Sequence, residues 1–316
     1  MNVLSLFDGI SCGRLALERV GFHVENYYAS EIEEVSIRIS KKNWDDITYI
    51  GDVTKINYQL LPNIDLLIGG SPCQNFSFAG NQKGMSTKDN VVVTSLEQYL
   101  RLKSEKFEFE GQSFLFWEFV NALKTTSPKY FLLENVVMSK KWEDIITDVL
   151  GVTPIVINSS LVSAQDRKRL YWTNIPNVTQ PAEKNIYLDD IVEQRSDFKY
   201  LPSSRLDYNN YDKTKVDKSV FKNTSIQIGN SRRFKNAVRS NGKAFTLRKT
   251  NPNGVLCECG KIRHFTPVEV ERLQTLPDNY TLIDGIKDKE RYSVCGNGWT
   301  VDVIAYILSE IPMSNN

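Results

Sequence analysis

Residues 2–31, "NVLSLFDGISCGRLALERVGFHVENYYASE", decide the fold. "NVLSLF" is a short apolar run of strand formers, and "GRLALERV" has helical periodicity. The helix has a natural stop at Gly21, because glycine suits the residue after a helix end. "HVENYYAS" then reads as a second strand ending at Glu31. The rhythm continues through "EEVSIRISKKN" as helix, "IDLLIGG" and "KYFLLEN" as buried strands, and "KWEDIITDVLG" as helix. "PIVINSSLVSA" and "RLYWTN" read as late strands. Alternation of this kind implies a parallel, doubly wound α/β sheet of the Rossmann-like type.

Two regions break the rhythm. Residues 80–113 combine a polar stretch, "GNQKGMSTKDN", with a short helix, "SLEQYLRLK". After about residue 180 the alternation is lost. It returns at Thr266, an N-cap followed by Pro267 and Glu269, a capping box with proline at the first helical position. "VDVIAYILSEI" is a final amphipathic helix. The expected division is residues 1–180 plus 265–316 as one domain, with 181–264 as a small, mostly irregular or β module.

The chain has 316 residues, of which 41% are hydrophobic, enough for a full core. No apolar run approaches the roughly 20 residues that span a bilayer. The start, "MNVLSLFDGI", lacks a basic leader segment. A soluble protein of the cytoplasm is expected. The five cysteines, Cys12, Cys73, Cys257, Cys259 and Cys295, are odd in number and scattered, which argues against a disulfide framework. "CEC" at 257–259 has only His264 as a nearby partner and reads as a solvated hairpin rather than a zinc site. The other histidine is His23, so a Ser-His-Asp arrangement has little to work with.

Net charge is +1, but it is unevenly placed. Residues 213–250 hold 11 Lys/Arg and one acid, Asp217, leaving 28 basic and 37 acidic residues elsewhere. Such a segment is either a solvated surface or a nucleic-acid contact. Phe221, Phe234, Phe245, Val238 and Leu247 interrupt it, and a solvated tail has no need of them.

In an open α/β sheet, ligands bind beyond the carboxyl ends of the strands. "FDGISCG" follows the first strand, where glycines allow close backbone approach and a helix offers free N–H groups. Glu31 follows the second and suits ribose hydroxyls. Asp52, in "GDV", follows the third and suits an adenine amino group. Together they suggest an adenosine-containing cofactor, and the missing G-x-G-x-x-G favours one without a pyrophosphate. "GGSPCQNFS" (69–77) ends the next strand. Cys73 is either a buried small residue or a presented nucleophile, and Pro72 with its glycines favours the latter. Glu134, in "ENV", is either a salt-bridge carboxylate or a proton donor. In "QDRKR", Gln165, Arg167 and Arg169 share one face if extended, suiting an anionic or base-edge ligand.

These motifs, in this order, resemble the cytosine-5 DNA methyltransferases over nearly the whole chain. "FDGISCG" is similar to the family's first cofactor motif, "SPCQNFS" to its nucleophile loop, and "ENV" and Q-x-R-x-R to the motifs that hold the target base. "FTPVEVERLQTLPDNY" resembles the helix after the recognition region, and "CGNGW" the closing cofactor motif. "GNGWTVDVI", with its tryptophan, resembles the animal de novo enzymes. The 80–113 insertion and the short region after Q-x-R-x-R resemble phage and prophage enzymes, which implies a short recognition site.

The resemblance implies S-adenosylmethionine as cofactor, S-adenosylhomocysteine as product, and no metal. It implies catalytic roles for Cys73, Glu134, Arg167, Gln165, Arg169, Asn135 and Pro72. It places the cofactor against Phe7, Asp8, Gly9, Ile10, Cys12, Gly13, Glu31, Ile32, Asp52, Val53, Gly70, Pro72, Asn297 and Trp299. Duplex DNA is the implied partner, met by Ser77 and, in the basic segment, by Arg232, Arg233, Arg239 and Arg248. A monomer in a bacterial or phage-infected cell is expected, and the sequence leaves open both a cognate restriction endonuclease as companion and an orphan enzyme. A transfer-RNA cytosine methyltransferase and a catalytically inactive DNA-binding homologue are the rival readings. A nicotinamide oxidoreductase shares the layered fold but needs the missing glycine fingerprint.

Overall fold

The computed structural model describes residues 1–73, 76, 84–201, 223–227, 237–239, 241–248, 253–257 and 259–312. Its main sheet has seven strands: β1 (Asn2–Leu6), β2 (Asn26–Ser30), β3 (Ile47–Tyr49), β4 (Leu66–Gly69), β5 (Tyr130–Val136), β6 (Ile155–Asn158) and β7 (Lys168–Thr173). Their spatial order is β3-β2-β1-β4-β5-β7-β6. The order reverses between β1 and β4, which pair in parallel from Val3↔Leu66 to Leu6↔Gly69. Helices leaving these two strands go to opposite faces, so a crevice opens at their carboxyl ends.

Period-2 alternation builds the two cores. Val3, Leu66, Ile68 and Leu132 face one side, packed with α1 (Cys12–Val20) and α9 (Val301–Ser309). Leu4, Leu6, Leu67, Leu133 and Trp172 face the other, with α3 (Leu96–Ser104), α4 (Phe116–Thr126) and α5 (Lys140–Leu150). The doubly wound sheet holds as expected with one correction: β7 runs antiparallel to both β5 and β6. Only residues 159–167 link β6 to β7, too short for a crossover helix. For the same reason "PIVINSSLVSA" is a strand only to Asn158, after which the chain turns. α4 and α8 (Asp288–Asn297) have no counterpart in the sequence reading.

Residues from the expected recognition module form a second, antiparallel sheet, ordered β11 (Ile262–His264), β10 (Gly254–Leu256), β8 (Thr224–Gln227) and β9 (Ala237–Arg239). Between β10 and β11 the Gly260 N–H donates to the Cys257 carbonyl at 2.9 Å. Leu188, Ile191, Ala244, Leu247 and Val255 nevertheless pack into the core shared by α1 and α9. Among the described residues, no helix is long and apolar enough to cross a membrane.

α7 (Pro267–Leu273) starts at the capping box read from the sequence. Glu269 N–H donates to Thr266 Oγ1 at 3.2 Å, and Thr266 N–H to Glu269 Oε2 at 2.8 Å. The Glu269 carboxylate is fully buried and takes both arms of Arg263, at 2.7 Å each. Removing one member of such a pair strands the other. Arg263→Met should lower unfolding stability by about 3–5 kcal/mol. Arg263→Met/Glu269→Leu should recover part of that loss. Urea denaturation of the three proteins checks both expectations.

Candidate active site

The loop after β1 is shaped by three left-handed residues in five: Phe7 (φ 58°), Gly9 (φ 61°) and Ser11 (φ 59°). Non-glycine residues rarely adopt this conformation, so the surroundings must hold it. Asp8 is the holder. Its Oδ1 accepts from Ser5 Oγ (2.6 Å) and Tyr27 Oη (2.7 Å), and its Oδ2 from Ser11 Oγ (2.5 Å). Burial pushes the Asp8 carboxyl up to about 6, against the pull of those three hydroxyls.

Glu31, at the end of β2, grips the same loop. Its carboxylate accepts from the N–H groups of Gly9 (2.7 Å), Ile32 (2.7 Å) and Glu33 (2.8 Å). Ile32 stands beside it with 71% of its surface exposed, unusual for so apolar a side chain. Beyond β3, Asp52 Oδ1 accepts from the Thr54 N–H (2.9 Å) and hydroxyl (2.8 Å). Burial raises the Asp52 carboxyl, but Thr54 and Lys55 outweigh it and hold it below its ordinary value. Carboxylates at successive strand ends, an exposed apolar face between them and open space at Gly9 fit an adenosine moiety. Ile10, Cys12 and Val53 have their side chains in the core. Asn297 is exposed at the end of α8.

Cys73 lies four residues past β4. Its approach is pinned from two neighbours. Asn135 Nδ2 donates to the Ser71 carbonyl and hydroxyl, both at 3.1 Å, and Ser113 Oγ donates to the Pro72 carbonyl at 3.0 Å. Gly70 is tight: a Cβ there would stand 2.9 Å from Trp299 Nε1 and 3.2 Å from Glu134 Oε2. Trp299 thus reaches across β4 to donate to Glu134 Oε2 at 3.1 Å, while Arg169 Nε meets Oε1 at 2.9 Å. Burial raises the half-buried Cys73 thiol, Glu134 adds to it, and Arg169 and Arg167 oppose it.

Q-x-R-x-R does not form one ligand-facing row. β7 begins only at Lys168; before it, Gln165 bridges to Ala244. Gln165 is fully buried and bonds the Leu273 carbonyl, the Gln274 amide and the Leu247 N–H. Arg167 donates to the Gly298 carbonyl at 3.0 Å, and its Nη1 is buried without a partner. Burial, then Arg169, lowers Arg167 to about 10.

Arg239 pairs with Asp166 and stacks on Phe245 at 4.5 Å. Arg248 is exposed. Ser77, Arg232 and Arg233 lie outside the described residues. The sequence reading missed Ser71, Ser113 and Gln274, whose roles are hydrogen bonds to residues distant in sequence and leave no local signal. A second concavity, of about 700 Å³, lies between Arg195, Phe198, Tyr200 and Cys257, and none of its walls belongs to this cluster.

The mostly parallel seven-stranded sheet belongs to a fold shared with solved methyltransferases. The Entamoeba histolytica methyltransferase EhMeth superposes with a TM-score of 0.66 at 17% identity, over 98% of this chain and 97% of that one. DNMT2 of Spodoptera frugiperda gives 0.62 at 20% identity, over 98% of each chain. At this identity the likeness concerns the fold. Residues 1–313 match the C-5 cytosine-specific DNA methylase family, and the chain belongs to that family of DNA cytosine methyltransferases. The type II methyltransferase M1.ScrFI of Lactococcus lactis subsp. cremoris is 26% identical over 98% of this chain and 77% of its own length.

Asp8 makes a pH prediction. Its value is higher in the folded protein than the ordinary 3.8, so the native state binds more protons between about pH 4 and 6. Stability must therefore fall as pH rises through that window and level off above it. Asp8→Asn should abolish this fall, worth on the order of 2 kcal/mol. Urea midpoints at pH 4, 5, 6 and 7 check it, and parallel wild-type and variant curves would exclude it.

Proposed function

We propose that the protein flips a cytosine out of duplex DNA and methylates carbon-5 within a short recognition sequence. The observation that supports this best is the strand-end cluster, where Cys73 leaves β4 beside a Glu134 carboxylate held by Arg169 and Trp299. Residues 1–180 and 265–316 act as the catalytic domain, and 181–264 as the recognition domain.

Carbon-5 of cytosine is a poor nucleophile. Addition of the Cys73 thiolate to carbon-6 forms a C–S bond and turns the ring into an enamine. Glu134, carrying a proton, delivers it to ring nitrogen 3 and eases that addition. The thiol must lose a proton and the carboxyl must gain one, so the two changes leave the net charge of the site unaltered. Arg167, whose buried Nη1 has no partner, is the group for the charge that builds at the exocyclic oxygen. S-adenosylmethionine, held by Glu31, Ile32 and Asp52, supplies the electrophilic methyl group. Once carbon-5 carries the methyl group, with S-adenosylhomocysteine as the leaving group, its proton passes to water, the C–S electron pair returns to the Cys73 sulfur, and nitrogen 3 gives its proton back to Glu134, which restores the ring. In a duplex these ring atoms are out of reach, hence the flipped base.

The test is a duplex with 5-fluorocytosine at the target. Fluorine cannot leave as a proton does, so a denaturation-resistant adduct should accumulate and require S-adenosylmethionine. Cys73→Ser should form none, since no histidine is at hand to activate a hydroxyl. Glu134→Gln should form it at least about 100-fold more slowly. An adduct that persists in Cys73→Ser would falsify the assignment. RNA of the same sequence, tested alongside, distinguishes the transfer-RNA reading; a wild-type protein inert on both points to the inactive homologue.

A further inference from the structure

Apart from Ser113 on the Pro72 carbonyl, the 80–113 insertion has no place in the chemistry above, yet another of its side chains reaches the turn that carries Asp52. α3 carries Lys103, whose ammonium meets the fully buried Glu118 of α4 at 2.5 Å. Tyr99, also on α3, donates to the same carboxylate oxygen at 2.5 Å. Neutralising Glu118 does not exhaust the ammonium, which has three donors. A further one goes to the carbonyl of Thr54 at 2.9 Å. Thr54 is the residue whose N–H and hydroxyl both hold Asp52 Oδ1. The turn is supported again one residue earlier, where Tyr58 Oη lies 3.4 Å from the Val53 carbonyl. Asp52 Oδ2 takes neither Thr54 bond, and its nearest cation, Lys55, stands 3.6 Å away and is 81% exposed. That oxygen is the acceptor left for a ligand.

We propose that Lys103 is a positioning residue that sets the purine specificity of the cofactor site through Thr54 and Asp52. The inference rests on the adenosine reading of the crevice and adds a residue from outside it. A carboxylate oxygen accepts from a 6-amino purine and opposes the oxygen of a 6-oxo purine. Discrimination of this kind depends on placing the acceptor to within about 0.5 Å. Asp52 sits on a single helical turn, too short to fix itself. The Lys103–Glu118 pair, anchored in α3 and α4, supplies the fixed point.

The experiment is calorimetry on the full-length protein with S-adenosylhomocysteine and S-inosylhomocysteine. Wild type should prefer the adenine ligand by at least about tenfold, as a site built around one hydrogen bond does. Lys103→Met/Glu118→Gln removes both buried charges together and so avoids stranding either. It should bring the two ligands to within roughly threefold by weakening only the adenine ligand. Glu118→Gln alone leaves Lys103 on Thr54 and should keep the preference. Lys103→Met alone serves as the second variant should the double one fail to fold. A variant that loses affinity equally for both ligands, or keeps the wild-type ratio, overturns the role of Lys103. A wild type without preference overturns the adenine reading of Asp52 itself, and is recognised before any variant is made.

Discussion

The side-chain amide of Gln274 uses all of its principal hydrogen-bonding capacity, and much of the molecule hangs from it. Its Nε2 donates to the carbonyls of Cys295 (2.6 Å) and Gly298 (3.0 Å). Its Oε1 accepts from Gln165 Nε2 (3.0 Å) and Thr300 Oγ1 (2.9 Å). The residue is fully buried, so every bond lost would leave a polar group unpaired, at about 1–3 kcal/mol each. Segments far apart in sequence are thereby held in one register. α8 and α9 meet at this point, and α9 lies along α1 on one face of the sheet. The loop between them carries Trp299 over Gly13 and Gly70 to Glu134. A strand-end cluster assembled from β4, β5, β7 and the last fifth of the chain requires such a fastening, since no local sequence could supply it.

The cluster itself is in electrostatic conflict. Burial disfavours the thiolate of Cys73, and the Glu134 carboxylate disfavours it further. Arg167 and Arg169 oppose those two effects but repel each other, which is part of why Arg167 is lowered to about 10. A protein selected for stability alone would not keep two arginines and a carboxylate around a half-buried cysteine. On the proposed mechanism the conflict would lessen, because a protonated Glu134 no longer repels a Cys73 thiolate and the one exocyclic oxygen of a bound cytosine would face the arginines. Such strain is tolerated where the ligand relieves it.

Much of the fold was legible because it follows from period. β1, β2, β4 and β5 are short apolar runs ending in polar residues, and α7 announces itself by Thr266, Pro267 and Glu269. The reversal of β7 was not legible: its residues look like any buried strand, and its direction is set by the length of the preceding loop. α8 has its apolar residues spread around the helix, with no stripe for a periodicity argument to find. At the site, single residues at strand ends were legible by type, as with Glu31, Asp52, Cys73 and Glu134. Their partners were not, because Ser113 on Pro72 and Trp299 on Glu134 are separated by tens of residues in sequence. Alternation misled once, at Gln165, where an extended segment was assumed before the strand had begun.

Charge along the chain misleads in the same way when read without burial. Lys243 belongs to the basic segment, yet its ammonium is buried on the carbonyls of Ser160, Ser163 and Ile186, and burial lowers it. Arg239 is paired with Asp166. These two cations dock the second sheet rather than project from it. The docking strip is residues 164–167: Ala244 N–H bonds the Ala164 carbonyl (2.6 Å), Leu247 N–H bonds Gln165 (2.9 Å), and Thr246 Oγ1 bonds the Asp166 carbonyl (2.6 Å). Asp166 in turn accepts from Asn158, which holds the Arg167 N–H. The strip that fastens the second sheet therefore ends in the arginine that lies beneath Gly298 and beside Trp299. Asp166, Asn158 and Arg167 thus form one continuous line of polar contacts from the second sheet to the carbonyl of Gly298, the residue before Trp299.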